Sequence, residues 1–198
     1  MRNLKTITLS LLIAASLLFM QFNPLPNGIS FSRRMHALNK LKNRTLVPQE
    51  SDYDSRVTLN ALLQPGDDST RWSDKSAARV EGYVVSVRDG SIESANCYSL
   101  FRRDTHIEVA LSKDASPRDR IELEVTPRIR GWAKGQGRDW STGALARELV
   151  GHWCHFEGWL LFDTGHQKES ENLNPGGIKN WRATAWELHP VTLIEIIR

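Results

Sequence analysis

The sequence predicts an all-β domain, a five-stranded barrel with one short helix between its third and fourth strands. Three observations predict it. From residue 78 onward, short segments with an apolar residue at every second position recur along the chain, turn residues separate them, and one helical pattern follows the third segment. The chain of 198 residues has room for one domain of ordinary size beside an N-terminal leader.

The strands are predicted at residues 79–88, 103–111, 120–126, 152–162 and 182–197. Proline cannot donate a hydrogen bond to a neighbouring strand, so an interruption is expected in the fifth strand at His189-Pro190. Ser141 or Thr142 is placed to cap a helix over residues 143–150. The glycine-rich stretch 127–140 is predicted to be irregular.

Three strands, a helix and two strands form the connectivity of the OB-fold, a Greek-key barrel. Ligands of this fold usually lie across strands two and three and under the loops that follow strands one and four. In this sequence those loops are residues 89–102 and 163–181. The predicted domain is therefore an OB-fold-like barrel over residues 78–198.

Ionisable side chains share one face of the predicted second strand, and a similar face recurs on the fifth. Asp104, His106 and Glu108 alternate with apolar residues, as do Glu187 and His189 near the C-terminus. The leading hypothesis is a non-catalytic binding module for a small molecule, a glycan or a protein. Its predicted ligand-binding residues are Asp104, His106, Glu108, Glu124, Arg128, Trp181 and Arg182.

The same face also suits a divalent metal ion, because imidazole and carboxylate together bind zinc, manganese or iron, and carboxylates alone bind calcium or magnesium. The predicted metal ligands are His106, Glu124, Asp163, His166, Glu187 and His189. Such a metal could activate water, and the alternative function is a metal-dependent hydrolase, for example a phosphodiesterase or nuclease. No HExxH or CxxC spacing supports it. A second alternative is a structural envelope protein in which these groups pair with arginines.

Aromatic and basic residues lie together after the third strand. Trp132 and Trp140 are interleaved with Arg130, Lys134 and Arg138, and such a segment can stack bases or sugar rings while it contacts phosphates. Nucleic acid is the less favoured partner, because the ionisable face is acidic.

The first 26 residues are predicted to be an export signal or a signal anchor. Arg2 and Lys5 precede an uncharged apolar run over residues 7–20, which is short for a membrane span. No small-x-small cleavage site follows the run. The protein is therefore expected to be exported, either to the periplasm or anchored by an uncleaved signal, with this segment as its contact with the membrane.

Residues 27–77 are predicted to be an arm or linker, first basic and then polar, with little core of its own. The net charge of +3 is mild, but the basic residues of the arm are clustered at Arg33, Arg34, Lys40, Lys42 and Arg44. Such a cluster can bind phosphate or anionic lipid, or can be a solvated arm.

The two cysteines, Cys97 and Cys154, would both lie in the oxidising compartment that export implies. A disulfide between them and two separate thiols are both open, because the sequence does not set the distance between them.

Four segments carry a resemblance to a known group of sequences: RDTHIEVAL at 103–111, EVTPR at 124–128, GWLLFDTGH at 158–166 and NWRATAWELHPV at 180–191. In these segments the chain resembles a family of uncharacterised exported bacterial OB-fold domains, over residues 78–197. The resemblance implies the fold and export, and implies no activity.

A fainter likeness is to staphylococcal-type nucleases, which are also OB barrels with a calcium site. Arg103, Asp104, Thr105 and Glu108 offer the residue types of that site. Their spacing departs from the nuclease pattern, and His106 is foreign to it.

Overall fold

Five strands close into a barrel. A computed structural model describes residues 25–197, in which the strands are Ala77–Asp89 (β1), Thr105–Ala110 (β2), Ile121–Val125 (β3), Trp153–Phe162 (β4) and Trp186–Ile196 (β5). Their order around the barrel is β1-β2-β3-β5-β4. β3 and β5 are parallel, and the other neighbouring strands are antiparallel. The predicted all-β barrel with OB-fold-like connectivity is confirmed.

Alternation along the strands places the apolar core inside the barrel. Ile107 and Val109 of β2 and Leu123 of β3 are buried in it, together with Phe156 of β4 and Leu188 of β5. Residues with even numbers on β2 and β3 therefore lie on the outer surface of the barrel. The ionisable face of the sequence is on this outer surface.

The predicted interruption of β5 takes the form of a shift in pairing. The strand continues through Pro190, but its register with β4 changes on both sides of Gly158. The proline thus disturbs the ladder without ending the strand.

Four α-helices accompany the barrel in residues 25–197: Arg33–Lys42 (α1), Leu59–Leu62 (α2), Pro127–Gly135 (α3) and Thr142–Leu149 (α4). Ser141 caps α4 by accepting a hydrogen bond from the Ala144 amide, as the sequence predicts. The prediction of an irregular stretch at 127–140 is wrong for its first half. Thr126 caps α3 and Pro127 occupies its first turn, and burial of Ile129 and Ala133 outweighs the low helix propensity of the glycines.

Residues 25–76 pack against the barrel, in contrast to the predicted arm with little core. Leu59 and Leu62 of α2 belong to the same hydrophobic core as the strands. Gly82 of β1 makes room for this contact, since a Cβ there would lie 2.5 Å from Leu59 Cδ2. Arg44 also holds the segment against β4 and β5 by donating hydrogen bonds to the carbonyl groups of Leu160 and His189.

Because the N-terminal segment completes the core, Leu62→Ala should destabilise the whole barrel. Leu62 is fully buried, and such a truncation costs about 2–5 kcal/mol of unfolding free energy. Urea unfolding followed by tryptophan fluorescence measures it, with Leu46→Ala at an exposed position of the same segment as the control. Unchanged stability in Leu62→Ala would mean that the segment is dispensable to the barrel.

Cys97 and Cys154 are both buried free thiols. The disulfide that the sequence left open is therefore not formed. Cys154 faces the barrel core on β4, whereas Cys97 lies in the loop between β1 and β2. Their different positions leave each thiol packed in its own surroundings.

None of the helices within residues 25–197 is long and apolar enough to cross a membrane. The predicted export segment, residues 1–26, lies outside the described residues except for Leu25 and Pro26.

Candidate metal centre

The ionisable face on the outer surface of β2, β3 and β5 is buried. His106, Glu124, Glu187 and His189 are all less than a tenth exposed. The C-terminal end of α1 lies over this face, where Lys42 reaches Glu93 in the loop between β1 and β2. The surface on which an OB barrel usually binds its ligand is thus covered by the chain itself.

Two groups of side chains on this face could each hold a metal ion. The ligand atoms of Asp104, Glu124 and His189 all lie within 4.8 Å of one another, and so do those of Glu93, His106 and Glu124. Glu124 belongs to both groups. We refer to Glu93, Asp104, His106, Glu124 and His189 as the buried cluster.

Several polar atoms of the buried cluster lack a hydrogen-bond partner among the described residues. Both carboxylate oxygens of Asp104 are in this state, as are Glu124 Oε2 and the Nε2 atoms of His106 and His189. Asp104 is only 1% exposed, so water does not compensate it at the surface. A buried carboxylate with no partner is strongly unfavourable, and a bound cation would remove the penalty.

The Nδ1 atom of His189 lies between two carboxylates, 3.1 Å from Glu187 Oε1 and 3.2 Å from Glu124 Oε2 in the buried cluster. The second oxygen of Glu187 accepts a hydrogen bond of 2.9 Å from Arg182. In metal centres a carboxylate commonly fixes a histidine in this way, and the remaining ring nitrogen binds the ion. Nε2 is the remaining nitrogen of His189, and it is buried without a partner.

His106 has two tautomers that the surroundings can support. Its Nδ1 lies 3.1 Å from both Arg88 Nη1 and Glu122 Oε1, and its Nε2 lies 3.4 Å from Glu124 Oε1. With the proton on Nδ1, the ring donates to Glu122 and Nε2 has a free electron pair for a metal. With the proton on Nε2, Nδ1 accepts from Arg88. A Cβ at Gly90 would lie 2.4 Å from Nε2, so glycine there makes room for the ring.

Lys42 brings a positive charge to the buried cluster from α1. Its Nζ lies 2.7 Å from Glu93 Oε2. Burial acts to lower the pKa of Lys42, but the surrounding carboxylates, above all Glu124 and Glu93, raise it well above its ordinary value. The lysine is therefore protonated at neutral pH, and it partly neutralises the cluster.

Glu124 is the carboxyl group whose titration is most affected by this arrangement. Burial, reinforced by the charge of Glu187, raises its pKa well above that of an ordinary carboxyl, although Lys42 acts in the opposite direction. Glu124 thus retains a proton to a higher pH than an exposed glutamate. A metal ion would have to displace that proton.

Asp163 and His166, two predicted metal ligands, lie in a separate pair outside the buried cluster. His166 Nδ1 is 2.5 Å from Asp163 Oδ2, and Arg182 Nη1 is 3.5 Å from the same oxygen. A hydrogen bond to Asp163 raises the pKa of His166. Glu187 also lies beside the cluster, between Arg182 and His189. Of the predicted metal ligands, His106, Glu124 and His189 therefore lie together in the buried cluster.

The side chains of the other predicted ligand-binding residues form hydrogen bonds and ion pairs within the chain. Glu108 pairs with Arg120 at 2.8 Å, and Arg128 donates to Asn43. The indole of Trp181 donates to Glu169, and the buried guanidinium of Arg182 lies 5.0 Å from the centre of the Trp181 ring. Of this set, Asp104, His106 and Glu124 belong to the buried cluster. Sequence reasoning missed Glu93 and Lys42, because both come from segments without a regular apolar pattern.

The predicted aromatic and basic segment lines a shallow cleft of about 610 Å³. Lys134 and Arg138 are exposed there, and Trp132 packs against Trp140 with ring centres 6.3 Å apart. Arg130 is engaged in hydrogen bonds with Thr105 and the backbone of Arg103. Trp140 is buried in the core, which leaves Trp132 as the exposed aromatic ring of the pair.

Comparisons of the chain with protein-family models, with curated proteins and with solved structures found no match. The resemblance to exported OB-fold domains therefore stays a prediction.

Proposed function

We propose that this protein binds a divalent transition-metal ion in the buried cluster, without catalysing a reaction of its own. The observation that carries the proposal is Asp104, whose two carboxylate oxygens are buried and unpartnered beside Glu124 and His189. A cation among these three side chains would supply the missing partner of each.

The donor set favours a first-row transition metal over calcium or magnesium. Asp104, Glu124 and His189 offer oxygen and nitrogen together, and His106 offers a second nitrogen. Imidazole suits zinc, iron, nickel and copper, and carboxylates suit manganese as well, whereas calcium and magnesium prefer oxygen alone. The outer contacts of His189 with Glu187 and Arg182 support the same assignment.

Burial favours a binding role over the hydrolase that the sequence also suggested. A hydrolytic metal needs an open coordination position that substrate and water can reach. Asp104, Glu124 and His189 are at most 2% exposed, and α1 lies over the face that they share. An ion in this place would join β2, β3 and β5 to the loop before β2. The hydrolase remains the alternative function.

The test is the metal content of the full-length protein after dialysis against zinc or manganese at neutral pH. Near-stoichiometric metal is expected in the wild type, and loss of the metal is expected in both Asp104→Asn and His189→Ala. The control is His155→Ala, which removes a histidine paired with Glu81 and Glu157 on another part of the barrel. Wild-type protein that holds neither metal would overturn the proposal.

A pH series gives the same experiment a second readout. Because the pKa of Glu124 is raised, protons compete with the metal at a higher pH than they would at an ordinary carboxyl. Metal content should therefore fall as the pH is lowered from neutral, before ordinary carboxyl groups titrate at about 4.3. Circular dichroism of each variant distinguishes a lost ligand from a lost fold.

A further inference from the structure

Large apolar side chains are exposed together near the point where the described chain begins. Leu25, Phe31, Tyr98, Leu100 and Phe101 form what we call the loop patch, with Phe31 80% and Phe101 82% exposed. Phe31 and Tyr98 stack with ring centres 6.5 Å apart. The Ile29 amide also donates to the Ser94 carbonyl, so residues 25–31 run beside the loop between β1 and β2.

The loop that carries the patch has a defined conformation. Cys97 and Tyr98 both have left-handed backbone angles, with φ of 57° and 54°, which non-glycine residues seldom adopt. The Tyr98 amide donates to the Glu93 carbonyl, and the buried Ser99 hydroxyl accepts from the amides of Phe101 and Arg102. The structure thus holds these apolar side chains toward solvent on a fixed support, and exposed apolar groups of this extent mark an interaction site.

Positive charge lies next to the loop patch. Arg33 and Arg34 come after Phe31 and the N-cap Ser32, in the first turn of α1, and both are exposed. That turn contains no acidic residue, and neither arginine forms an ion pair with the described residues. Aromatic and aliphatic side chains beside unpaired arginines are typical of protein surfaces that contact anionic lipid.

The apolar sequence upstream of the loop patch also favours a membrane as its partner. Residues 7–20 are apolar and uncharged, and only four residues separate Met20 from Leu25 at the edge of the patch. The five residue-to-residue steps from Met20 to Leu25 extend over at most about 18 Å. If residues 7–20 enter a bilayer, the loop patch is therefore held within reach of its surface.

We propose that the loop patch rests on the surface of an anionic lipid bilayer. Phe31, Leu100 and Phe101 enter the interfacial region, Tyr98 lies at the level of the headgroups, and Arg33 and Arg34 contact lipid phosphates. The predicted membrane contact through the N-terminal segment alone is thereby extended to the folded barrel. The buried cluster and the loop patch are independent, so either proposal can fail without the other.

The experiment uses the full-length chain in lipid vesicles that contain phosphatidylglycerol. A single accessible cysteine is introduced as Phe101→Cys and labelled with an environment-sensitive fluorophore, and the native Cys97 and Cys154 are shielded because both are buried. The matched control is Ile178→Cys, at a residue that is 96% exposed in the loop between β4 and β5. Quenching by spin-labelled lipid is expected at position 101 and not at 178.

Removal of positive charge tests whether the loop patch binds anionic lipid or another partner. Replacing Arg33 or Arg34 by glutamine should lower the ratio of docked to free patch about fivefold for each arginine. Vesicles of neutral lipid, on which both arginines lose this attraction, should lower the ratio further than either single substitution does. Equal quenching at 101 and 178 would overturn the proposal. So would a probe at 101 that is shielded from water but not quenched by lipid, because a second copy of the chain or residues 1–24 would then cover the patch.

Discussion

Arg182→Met should lower the free energy of unfolding by about 4 kcal/mol, since removing one partner of a buried ion pair leaves the other charge uncompensated. Arg182 donates to Glu187 at 2.9 Å and to the Thr184 carbonyl at 2.7 Å, and it lies 3.5 Å from Asp163. The three charged side chains are almost completely buried. Urea unfolding of the metal-free protein at neutral pH measures the loss.

The control for this substitution is Arg56→Met, which removes an ion pair of 2.7 Å with Asp54 in which the arginine is exposed. No measurable change is expected there, because exposed pairs are screened by water. A loss below about 1 kcal/mol in Arg182→Met, the range of surface pairs, would contradict the assigned role of Arg182.

The effect of Arg182→Met should depend on pH in a defined direction. Burial acts to raise the pKa of Asp163, but the hydrogen bond from His166 and the charges of Lys42 and Arg182 hold it far below its ordinary value. A carboxyl with a depressed folded pKa stabilises the fold above its unfolded pKa of about 3.9, and that contribution is lost as the pH falls further. The difference between wild type and variant should therefore shrink below about pH 4.

Lys42→Met should destabilise the metal-free protein by about 3 kcal/mol, the lower end of the range for a broken buried pair. Lys42 is 6% exposed, whereas its partner Glu93 is 17% exposed and keeps some contact with water. The substitution also takes a positive charge away from Glu124. Thermal and urea unfolding in the presence of a chelator measure the loss.

Lys40→Met is the matched control for Lys42, since Lys40 lies in the same last turn of α1 but is exposed. Its stability should equal that of the wild type. Zinc affinity distinguishes the two variants further. Lys42→Met should bind zinc more tightly than the wild type, because the substitution removes a positive charge from the neighbourhood of the ion. Weaker zinc binding by Lys42→Met would argue against a metal in the buried cluster.

Much of the barrel could be predicted from local pattern alone. Alternation in 103–111 and 120–126 places β2 and β3 correctly, and Ser141 caps α4 as expected. The helix α3 was predictable in part, since Thr126 followed by Pro127 is a helix start, but the nearby glycines conceal it. The apolar alternation of a strand and the capping of a helix depend on residues that are close together in the sequence. A single sequence therefore reveals them.

The candidate site depended on contacts between distant segments, and the sequence revealed it only in part. His106, Glu124 and His189 share a predicted face and do come together. Their burial was not predictable, because it arises from α1 and from the loop between β1 and β2, and no pattern on β2 or β3 reports what lies over them. For the same reason, the sequence places Lys42 only in the basic cluster of residues 33–44 and not at the ionisable face.

Arg44 forms hydrogen bonds with residues that are far from it in the sequence, and such contacts affect how the chain folds. Its guanidinium bonds to carbonyl groups 116 and 145 residues further along the sequence, and the Trp186 indole bonds to the Asp68 carbonyl 118 residues before it. Contacts of such separation slow folding, because a long loop must close before they form. The N-terminal segment cannot reach its final position until β5 has been synthesised. Because β5 lies between β3 and β4, the barrel itself is also expected to close only after this last strand has been synthesised.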